Sequence, residues 1–267
     1  MLKRRLVMSA HSKRLVDLVI LVFCAFGAEY APLRARLKKP HALESVTIRG
    51  TSGELGRTAV SVVVSGVGIR RARQNAAIAL DTLPDIDGVI ITGVAGGLHG
   101  DLKIGDVVIG ERLLLRREEE FAASHTVEIG SARVDGLAAT LEAARIAHRR
   151  GALLTSRRAI ATPADKSRAH AALGAIAVDM ESAVIAQEAA AREIPFVCIR
   201  TIMDTAAQNL EGAMLADEDG RVRIGAAARA LIRDPRMIGA SIRLMRNLRV
   251  ATTSMAIAIE AALSGRE

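Results

Sequence analysis

Aromatic side chains are scarce in this chain of 267 residues. Trp is absent, and one Tyr and four Phe bring the aromatic fraction to only 2%. Half of the residues are nevertheless apolar, so the core must be built from Ala, Val, Leu and Ile, which suits buried strands and close-packed helices. The chain also lacks the stacking aromatics that bind single-stranded nucleic acids. We therefore expect no nucleic acid partner.

Cysteine and linker sequences are equally sparse. The two cysteines, Cys24 and Cys198, each lie inside an apolar run, so packing is the expected role rather than a disulfide or a metal site. This fits a reducing, cytoplasmic location. No Pro- or Ser-rich stretch or internal repeat divides the chain. We therefore expect residues 1–267 to form a single domain, with no bound metal.

The N-terminus lacks an apolar run long enough to cross a bilayer. Basic residues precede an apolar stretch from Leu15 to Ala28, as in a signal peptide, but Asp17 interrupts that stretch. About ten uninterrupted residues are too few for a membrane span. We expect residues 1–14 to be a basic, mobile segment and residues 16–26 to form a buried strand.

Positive charge exceeds negative charge. Lys and Arg number 37 and Asp and Glu 29, giving +8, which favours an anionic membrane surface, nucleic acid or an acidic ligand. A long helix predicted over 236–263 has an apolar face and carries Arg236, Arg243, Arg246 and Arg249. Two interpretations stay open: a helix packed on the sheet with its arginines in water, or a helix in peripheral contact with an anionic membrane.

Apolar runs alternate with helical patterns along most of the chain. The pattern predicts helices at 30–38, 69–82, 135–148, 164–172 and 181–192, and strands at 16–26, 44–50, 58–65, 87–93, 105–114, 150–156, 174–179 and 195–203. Such alternation is typical of a three-layer α/β/α domain around a mixed, mostly parallel sheet. Beyond residue 204 only helices are predicted, at 225–232 and 236–263, so residues 225–267 form a C-terminal helical extension.

Three carboxylates stand where predicted strands end. Glu29 follows the first strand, Glu181 follows the strand at 174–179, and Asp204 follows the last one. Open α/β sheets bind ligands at the carboxyl ends of their strands, so these acids are candidates for one pocket. Glu29 and Glu181 each have an alternative explanation as acids at a helix N-terminus. Asp204 has no such explanation, because no helix clearly begins after it. A buried acid at this position needs a partner or a functional role.

Two glycine-bearing turns also follow strands. One contains Gly66 and Gly68, and the other runs from Gly93 through Val94 and Ala95 to Gly96. Glycine lets the backbone approach a ligand and direct its N–H groups toward phosphate or sugar oxygens. The first turn lacks the third glycine and the later ribose-binding acid of a dinucleotide site.

Taken together, six motifs resemble the nucleoside phosphorylase and nucleosidase superfamily, in the order that the family uses. They lie between about residues 16 and 205: Gly27-Ala28-Glu29, Ser65-Gly66-Val67-Gly68, Gly93-Val94-Ala95-Gly96-Gly97-Leu98, Lys103-Ile104-Gly105-Asp106-Val107-Val108, Val178-Asp179-Met180-Glu181 and Ile199-Arg200-Thr201-Ile202-Met203-Asp204.

Resemblance to the methylthioadenosine/adenosylhomocysteine nucleosidase branch implies a role for each acid. Asp204 would protonate N7 of a departing purine, Glu181 would bind the ribose 2′- and 3′-hydroxyls beside Met180, and Glu29 would orient or deprotonate the attacking water. Cleaving an N-glycosidic bond leaves negative charge on the base, so an acid must keep its proton near neutral pH, and burial achieves this. The substrate-binding set would also include the glycine turns, with Gly66, Gly68, Gly93, Val94, Ala95 and Gly96.

Two departures from these relatives concern the nucleophile and the base. Phosphorylases of the superfamily carry an arginine and a serine around the second glycine turn, where this chain has Ile91, Thr92 and Val94. Water is therefore the expected nucleophile and no cofactor is expected, while phosphate stays open as a co-substrate. In the nucleosidase branch a Phe stacks on the base, but the corresponding segment here leads to Lys166.

The C-terminal third resembles hopanoid-associated phosphorylases. The resemblance lies in residues 204–210, 216–221 and 231–235 and in the long basic helix. It implies a lipid-linked nucleoside, adenosylhopane, as substrate, releasing adenine, and a location either free in the cytoplasm or peripheral at the inner membrane face. Resemblance to the superfamily implies a homo-oligomer. Two alternatives stay open: a soluble methylthioadenosine-type nucleosidase, and a catalytically inert relative that binds nucleosides or membranes.

Overall fold

The central strand of the sheet is the apolar run near the N-terminus. The computed structural model describes residues 18–43, 48–116, 121–210 and 236–264. Strand β1 spans Val19–Cys24, and its residues from Ile20 onward are buried. It pairs in parallel with β4 on one side and with β5 on the other. A strand buried on both faces reads as a continuous apolar run, as this one does.

Ten strands and six helices follow one another within the described residues. The strands are β1 (Val19–Cys24), β2 (Lys38–Ala42), β3 (Gly50–Leu55), β4 (Thr58–Val64), β5 (Ile86–Gly97), β6 (Val107–Arg116), β7 (Ala123–Glu128), β8 (His148–Thr155), β9 (Ala175–Asp179) and β10 (Phe196–Asp204). The helices are α1 (Gly27–Arg34), α2 (Ile69–Thr82), α3 (Ser131–Ala143), α4 (Pro163–Leu173), α5 (Ser182–Ala190) and α6 (Arg236–Ser264).

The sheet is mixed and partly closed on itself. Parallel pairings join β4, β1, β5 and β10 in the centre and also join β6 to β8 and β8 to β9. Antiparallel pairings attach the outer strands and link β10 to β6 and β9 to β5. Strands β5, β10, β6, β8 and β9 therefore form a ring, and β1, β4, β3 and β2 extend it on one side.

Helices cover both faces of the sheet, which confirms the predicted three-layer α/β/α arrangement. Helices α1 and α3 contact α6, and α2 packs against α5. Both helices bury alanines completely: Ala72, Ala76 and Ala79 on α2, and Ala183, Ala186 and Ala189 on α5. Small side chains let the two helices approach closely, so the core needs few aromatic rings.

Helix α6 has two halves with different surroundings. Met255 and Ile259 in its second half are buried against the sheet, and the Thr201 hydroxyl donates to the Ala251 carbonyl at 2.9 Å. In the first half, Ile242 and Met245 are each 65% exposed. The packing interpretation is thus confirmed for the second half. No helix within the described residues is both long and apolar enough to cross a membrane.

Most predicted elements are present, with shifted ends. Residues 1–14, 225–232 and most of the predicted strand at 44–50 lie outside the described residues. The helix expected at 135–148 is α3, which ends at Ala143 because Arg145 takes a left-handed φ of 57°. The sequence pattern does not predict strands β2, β3 and β7; β3 lies between the predicted strands at 44–50 and 58–65 and shares only Gly50 with them. Cys24 and Cys198 are buried free thiols, and burial raises the pKa of both, that of Cys198 to about 11.

Candidate active site

Buried charged groups gather where β1, β5, β9 and β10 end. The described residues bury six charged side chains, and all six belong to this region: Glu29, Lys166, Asp179, Glu181, Arg200 and Asp204. Buried charges are costly unless they are paired and hydrogen-bonded. Their concentration at one end of the sheet marks this region as the candidate active site.

Glu29 links the start of α1 to β5. It lies in the first turn of α1 and is 1% exposed. Its carboxylate accepts a hydrogen bond from the Ala25 N–H at 2.6 Å and one from the Val94 N–H at 2.8 Å. The bond to Ala25 is a local contact at the start of α1, which agrees with the explanation of Glu29 as an acid at a helix N-terminus. The bond to Val94 reaches a strand 65 residues away, so Glu29 also belongs to the shared cluster.

Glu181 joins the end of β9 to the first glycine turn. It is the N-cap residue of α5, and its Oε1 accepts from the Gly68 N–H at 2.9 Å. Gly68 itself caps α2 with a φ of 90°, a conformation that favours glycine. The predicted neighbourhood of Glu181 and this turn is therefore observed.

Arg200 connects the acids, and sequence reasoning had not singled it out. It lies within β10 and is 1% exposed. Its Nε lies 2.8 Å from Asp179 Oδ2, and its Nη2 lies 3.6 Å from Glu181 Oε2. Its Nη1 donates to the Thr92 carbonyl at 3.2 Å. The available signal was an arginine inside an otherwise apolar strand, since a cation there must be paired with buried acids.

Asp179 holds the loop that carries Glu181. Its Oδ1 accepts from the Thr155 hydroxyl at 2.7 Å and from the Glu181 and Ser182 N–H groups at 3.2 Å each. Together with the contact between Arg200 and Oδ2, these bonds fix the backbone of residues 179–182. Asp179 is thus a supporting residue for Glu181.

Two glycines of β5 provide the room that the acids occupy. A Cβ at Gly93 would collide with the Arg200 guanidinium and lie 2.7 Å from Glu29 Oε1. A Cβ at Gly96 would lie 3.0 Å and 3.2 Å from the two carboxylate oxygens of Asp204. Glycine is therefore required at position 93, whereas a side chain at position 96 would push the Asp204 carboxylate away from β5 by a few tenths of an ångström.

Asp204 ends β10 and is paired with a lysine. It is 3% exposed, and Lys166 of α4, 0% exposed, donates to its Oδ2. In the pairing of β10 with β5, Asp204 lies opposite Gly96. Lys166 stands where the resemblance placed a base-stacking Phe, so the position expected to hold an aromatic ring holds a buried cation.

Comparison with known proteins places this arrangement in a family. Residues 19–233 match the model of the family described as Phosphorylase superfamily. The chain belongs to the phosphorylase superfamily. Among curated relatives, a 5′-methylthioadenosine/S-adenosylhomocysteine nucleosidase of Mycobacterium tuberculosis is 30% identical over 220 residues, which cover 69% of this chain and 85% of the relative. The enzyme of that name from Thermotoga maritima is 30% identical over 198 residues, covering 72% and 88%.

Solved structures show that the superfamily fold extends over nearly the whole chain. The Neisseria meningitidis 5′-methylthioadenosine/S-adenosylhomocysteine nucleosidase in complex with methylthio-immucillin-A has a TM-score of 0.73 at 21% identity, covering 92% of this chain and 98% of that one. The Helicobacter pylori futalosine hydrolase has a TM-score of 0.72 at 16% identity, covering 92% and 97%. At these identities the likeness concerns the fold alone.

Burial raises the pKa of three acids in the site. It raises the pKa of Glu29, although Arg200 and the Val94 and Ala25 N–H groups lower it in part. It also raises the pKa of Asp204 against the opposing effect of Lys166. Burial raises the pKa of Glu181 to about 8, with Arg200 opposing and Asp179 reinforcing the shift. Buried acids near neutral pH can therefore carry protons, as acid catalysis requires.

The structure brings most of the predicted site residues together. Glu29 contacts the backbone of Val94, Glu181 contacts that of Gly68, and Asp204 lies against Gly96. The other predicted positions lie in the same segments: Gly66, Gly93, Ala95 and Met180. Across the described part of the chain, no three or more His, Cys, Asp or Glu side chains are arranged to hold a metal ion.

Proposed function

We propose that this protein cleaves the purine N-ribosidic bond of a 5′-substituted adenosine and releases adenine. The observation that carries the proposal is that three buried acids from three separate elements, Glu29, Glu181 and Asp204, lie against residues 93–96 of β5 or against Arg200. Relatives at 30% identity that are named 5′-methylthioadenosine/S-adenosylhomocysteine nucleosidase support the substrate class.

Asp204 is the proposed general acid. When the bond between the sugar and the base breaks, its electron pair leaves with the purine, and a proton on N7 neutralises the charge that develops. Burial raises the pKa of Asp204, so that more of it carries the required proton near neutral pH. Gly96 opposite lets the Asp204 carboxylate pack directly against β5.

Glu181 and Glu29 are proposed to act on the sugar and the water. Glu181 accepts hydrogen bonds from the ribose 2′- and 3′-hydroxyls, which strengthen as the sugar becomes an oxocarbenium ion. Glu29 takes the proton that water loses as its oxygen bonds to C1′. After one turnover Asp204 has lost a proton and Glu29 has gained one, so exchange with solvent restores both groups.

Water is the proposed nucleophile. Support comes from residues 92–94, which lie within β5 rather than in the predicted turn. They include Thr92 and Val94 where phosphorylases of the superfamily carry phosphate ligands. The buried Arg200 is already engaged by Asp179, the Ser182 hydroxyl and the Thr92 carbonyl. A rate of adenine release that is unchanged by added phosphate, with free sugar as the other product, is the expected result. Ribose 1-phosphate as the sole product would establish phosphate as the nucleophile.

Within this class we propose a lipid-linked substrate, adenosylhopane. The first half of α6 is the surface by which the protein contacts the membrane that contains this substrate. The supporting observation is the exposure of Ile242 and Met245, at 65% each, next to arginines at 243, 246 and 249 on the same helix. An apolar and basic surface of this kind suits an anionic bilayer, where such a substrate resides. A homo-oligomer is proposed from the resemblance alone.

A panel of 5′-substituted adenosines tests the proposal. The purified chain is incubated separately with 5′-methylthioadenosine, S-adenosylhomocysteine, adenosine and adenosylhopane in vesicles, and free adenine is measured by chromatography. We expect release to require Asp204, and Asp204→Asn to lower turnover roughly 100-fold or more. The exposed acid Asp101 provides the matched control, since Asp101→Asn should leave turnover unchanged.

The panel also separates the alternatives. Release from the small thioethers but not from adenosylhopane would identify a methylthioadenosine-type nucleosidase without a lipid link. No release from any of the four by a folded protein, together with measurable nucleoside binding, would identify an inert binding relative and contradict the enzymatic proposal.

A further inference from the structure

Lys166 is a fully buried cation whose three hydrogens are all engaged. Its Nζ donates to Asp204 Oδ2, to the Thr205 carbonyl at 2.8 Å and to the Gln208 carbonyl at 3.2 Å. An ammonium group has three donors, so this environment satisfies it completely. Lysine is almost never fully buried unless it is paired. The contacts therefore form a specific structure around the end of β10.

The helix that carries Lys166 does not itself account for the charge. Thr162 caps α4 by accepting from the Asp165 N–H at 3.0 Å, and Pro163 opens the helix. Lys166 thus stands at the end of the first turn, where the helix dipole disfavours a cation. Its placement is explained by Asp204 and the two carbonyls rather than by α4.

The loop after β10 is bonded to the segment before α4 at a second point. The Leu210 N–H donates to the Ala161 carbonyl at 2.9 Å. Within the loop, the Thr205 N–H donates to Gln208 Oε1 at 2.9 Å. Lys166 is the buried charged group between these two segments. Removing its ammonium would release one carboxylate oxygen of Asp204 and two carbonyls of the loop at once.

We propose that Lys166 is a positioning residue for Asp204: it holds Oδ2, leaves Oδ1 for N7 of the purine, and places a positive charge beside the departing base. The inference rests on the proposed function, in which Asp204 is the general acid. Once the proton has passed to N7, the remaining carboxylate is stabilised by the ammonium, which makes the transfer more favourable. A fixed charge in a buried site needs no reorganisation during the reaction.

The first test is the pH dependence of kcat/KM in Lys166→Met and Lys166→Arg. A general acid must be protonated, so activity falls as pH rises through its pKa. Loss of the lysine charge raises the pKa of Asp204, since the ammonium lowers it in the wild type. We expect Lys166→Met to lower kcat roughly tenfold or more and to move the alkaline limb to higher pH. Lys166→Arg keeps the positive charge, so its alkaline limb should lie at the wild-type pH.

The matched control is Lys39, whose side chain is 79% exposed and paired with Glu54. Lys39→Met should change neither kcat nor the limb. A Lys166→Met enzyme with lower activity but an unmoved limb would show a purely structural role and overturn the inference.

A double-mutant cycle covers the case in which Lys166→Met does not fold. Lys166→Met is also made in the Asp204→Asn background. In that background, removing the lysine leaves no unpaired carboxylate at position 204. If Lys166 acts through Asp204, it adds less than a twofold loss to the loss from Asp204→Asn, because residues acting as a unit are not additive. Fully multiplying losses would contradict the inference.

A measurement without turnover separates this inference from the proposed function. The carboxyl carbon of Asp204 is followed by NMR in protein labelled at aspartate, with Asp204→Asn identifying the signal. We expect its titration to move to higher pH in Lys166→Met than in the wild type, even if no nucleoside is cleaved. An unmoved titration would overturn the positioning role, whereas a moved titration in a protein that releases no adenine would overturn only the proposed function.

Discussion

At the scale of single residues, the site holds more acid than its cations can balance. Arg200 lies against Asp179 at 2.8 Å and 3.6 Å from Glu181, while Lys166 is committed to Asp204. Glu29 is the third acid around Arg200. Ionising every one of these acids would leave uncompensated buried negative charge, which is strongly unfavourable. The free enzyme is therefore expected to retain at least one proton in this cluster near neutral pH.

Glu181→Gln tests this protonation through stability. The pKa of Glu181 is raised from 4.5 to about 8 in the folded protein, so the folded state binds the proton more tightly than the unfolded state does. Its contribution to stability is complete below 4.5 and is lost as pH rises through about 8. We expect the free energy of unfolding in urea to fall across this window in the wild type, and to fall less in Glu181→Gln.

The control is Glu54→Gln, because the Glu54 side chain is 46% exposed and pairs with Lys39 on the surface. Its pH dependence should match that of the wild type. If the stability of Glu181→Gln shows the same pH dependence as the wild type, Glu181 is ionised in the folded protein. The expectation that it retains a proton near neutral pH is then wrong.

Three of the four acids of the site could be predicted from the sequence, whereas Asp179 and the two cations could not. Asp204 ends an apolar strand, and Glu29 and Glu181 follow apolar strands within a few residues; that position is visible in the local sequence. Arg200 and Lys166 resemble ordinary charged residues of a strand and a helix until their partners are known, and those partners come from distant elements. The pairing depends on tertiary structure, which local periodicity does not contain.

At the scale of elements, β5 is the strand on which the site is assembled. Its residues 93–96 lie against Glu29 and Asp204, and glycine at both ends of this segment provides the space. The same strand pairs with β1, β10 and β9. An added side chain in residues 93–96 should therefore displace the acids of the site while the strand pairings of the sheet are kept.

Gly96→Ala tests this role of β5. The added Cβ would lie 3.0 Å and 3.2 Å from the Asp204 oxygens and 3.3 Å from Val178, so the carboxylate must move. We expect roughly a tenfold loss of kcat, since small misplacements of catalytic groups are costly, and about 1–3 kcal/mol of lost stability from overpacking. At Gly100 a Cβ would meet nothing within 4 Å, so Gly100→Ala is the matched control and should retain activity. Equal kcat values for the two variants would contradict the prediction.

A paired substitution in α6 tests the difference between its halves. Ile259 is 1% exposed and Ile242 is 65% exposed. We expect Ile259→Ala to lower the free energy of unfolding by about 2–5 kcal/mol through loss of buried contacts. Ile242→Ala should change it by less than about 0.5 kcal/mol. Chemical denaturation of both variants measures the contrast, and similar losses would mean that the first half is also packed.

The elements that sequence reasoning missed share a physical cause. Strand β2 is exposed at every position, β7 is mostly exposed, and β3 buries only Thr51 and Leu55. An edge or outer strand that contributes little to the core lacks the apolar run by which β1, β5 and β10 were predicted. Its backbone pairing is determined by the neighbouring strand, so its own sequence shows little of it.

At the scale of the whole molecule, the surface is more basic than the net charge suggests. The formal charge is +8, yet the site buries four acids and two bases. Acids withdrawn into the sheet leave an excess of Lys and Arg outside. Part of that excess lies on the first half of α6 as Arg243, Arg246 and Arg249, beside exposed apolar side chains.

This distribution predicts binding to anionic bilayers that weakens as salt is added. Surface arginines are attracted to acidic headgroups, and exposed Ile242 and Met245 can enter the interface. We expect the protein to float with vesicles containing anionic lipid at low salt and to be released at high salt, because screening shortens the reach of surface charge. Ile242→Glu combined with Met245→Glu should abolish flotation. Ile257→Glu, at a site 46% exposed in the second half of α6, should not. Flotation that is absent at low salt, or that is the same for all three proteins, would contradict a membrane-facing α6 and favour a substrate taken directly from solution.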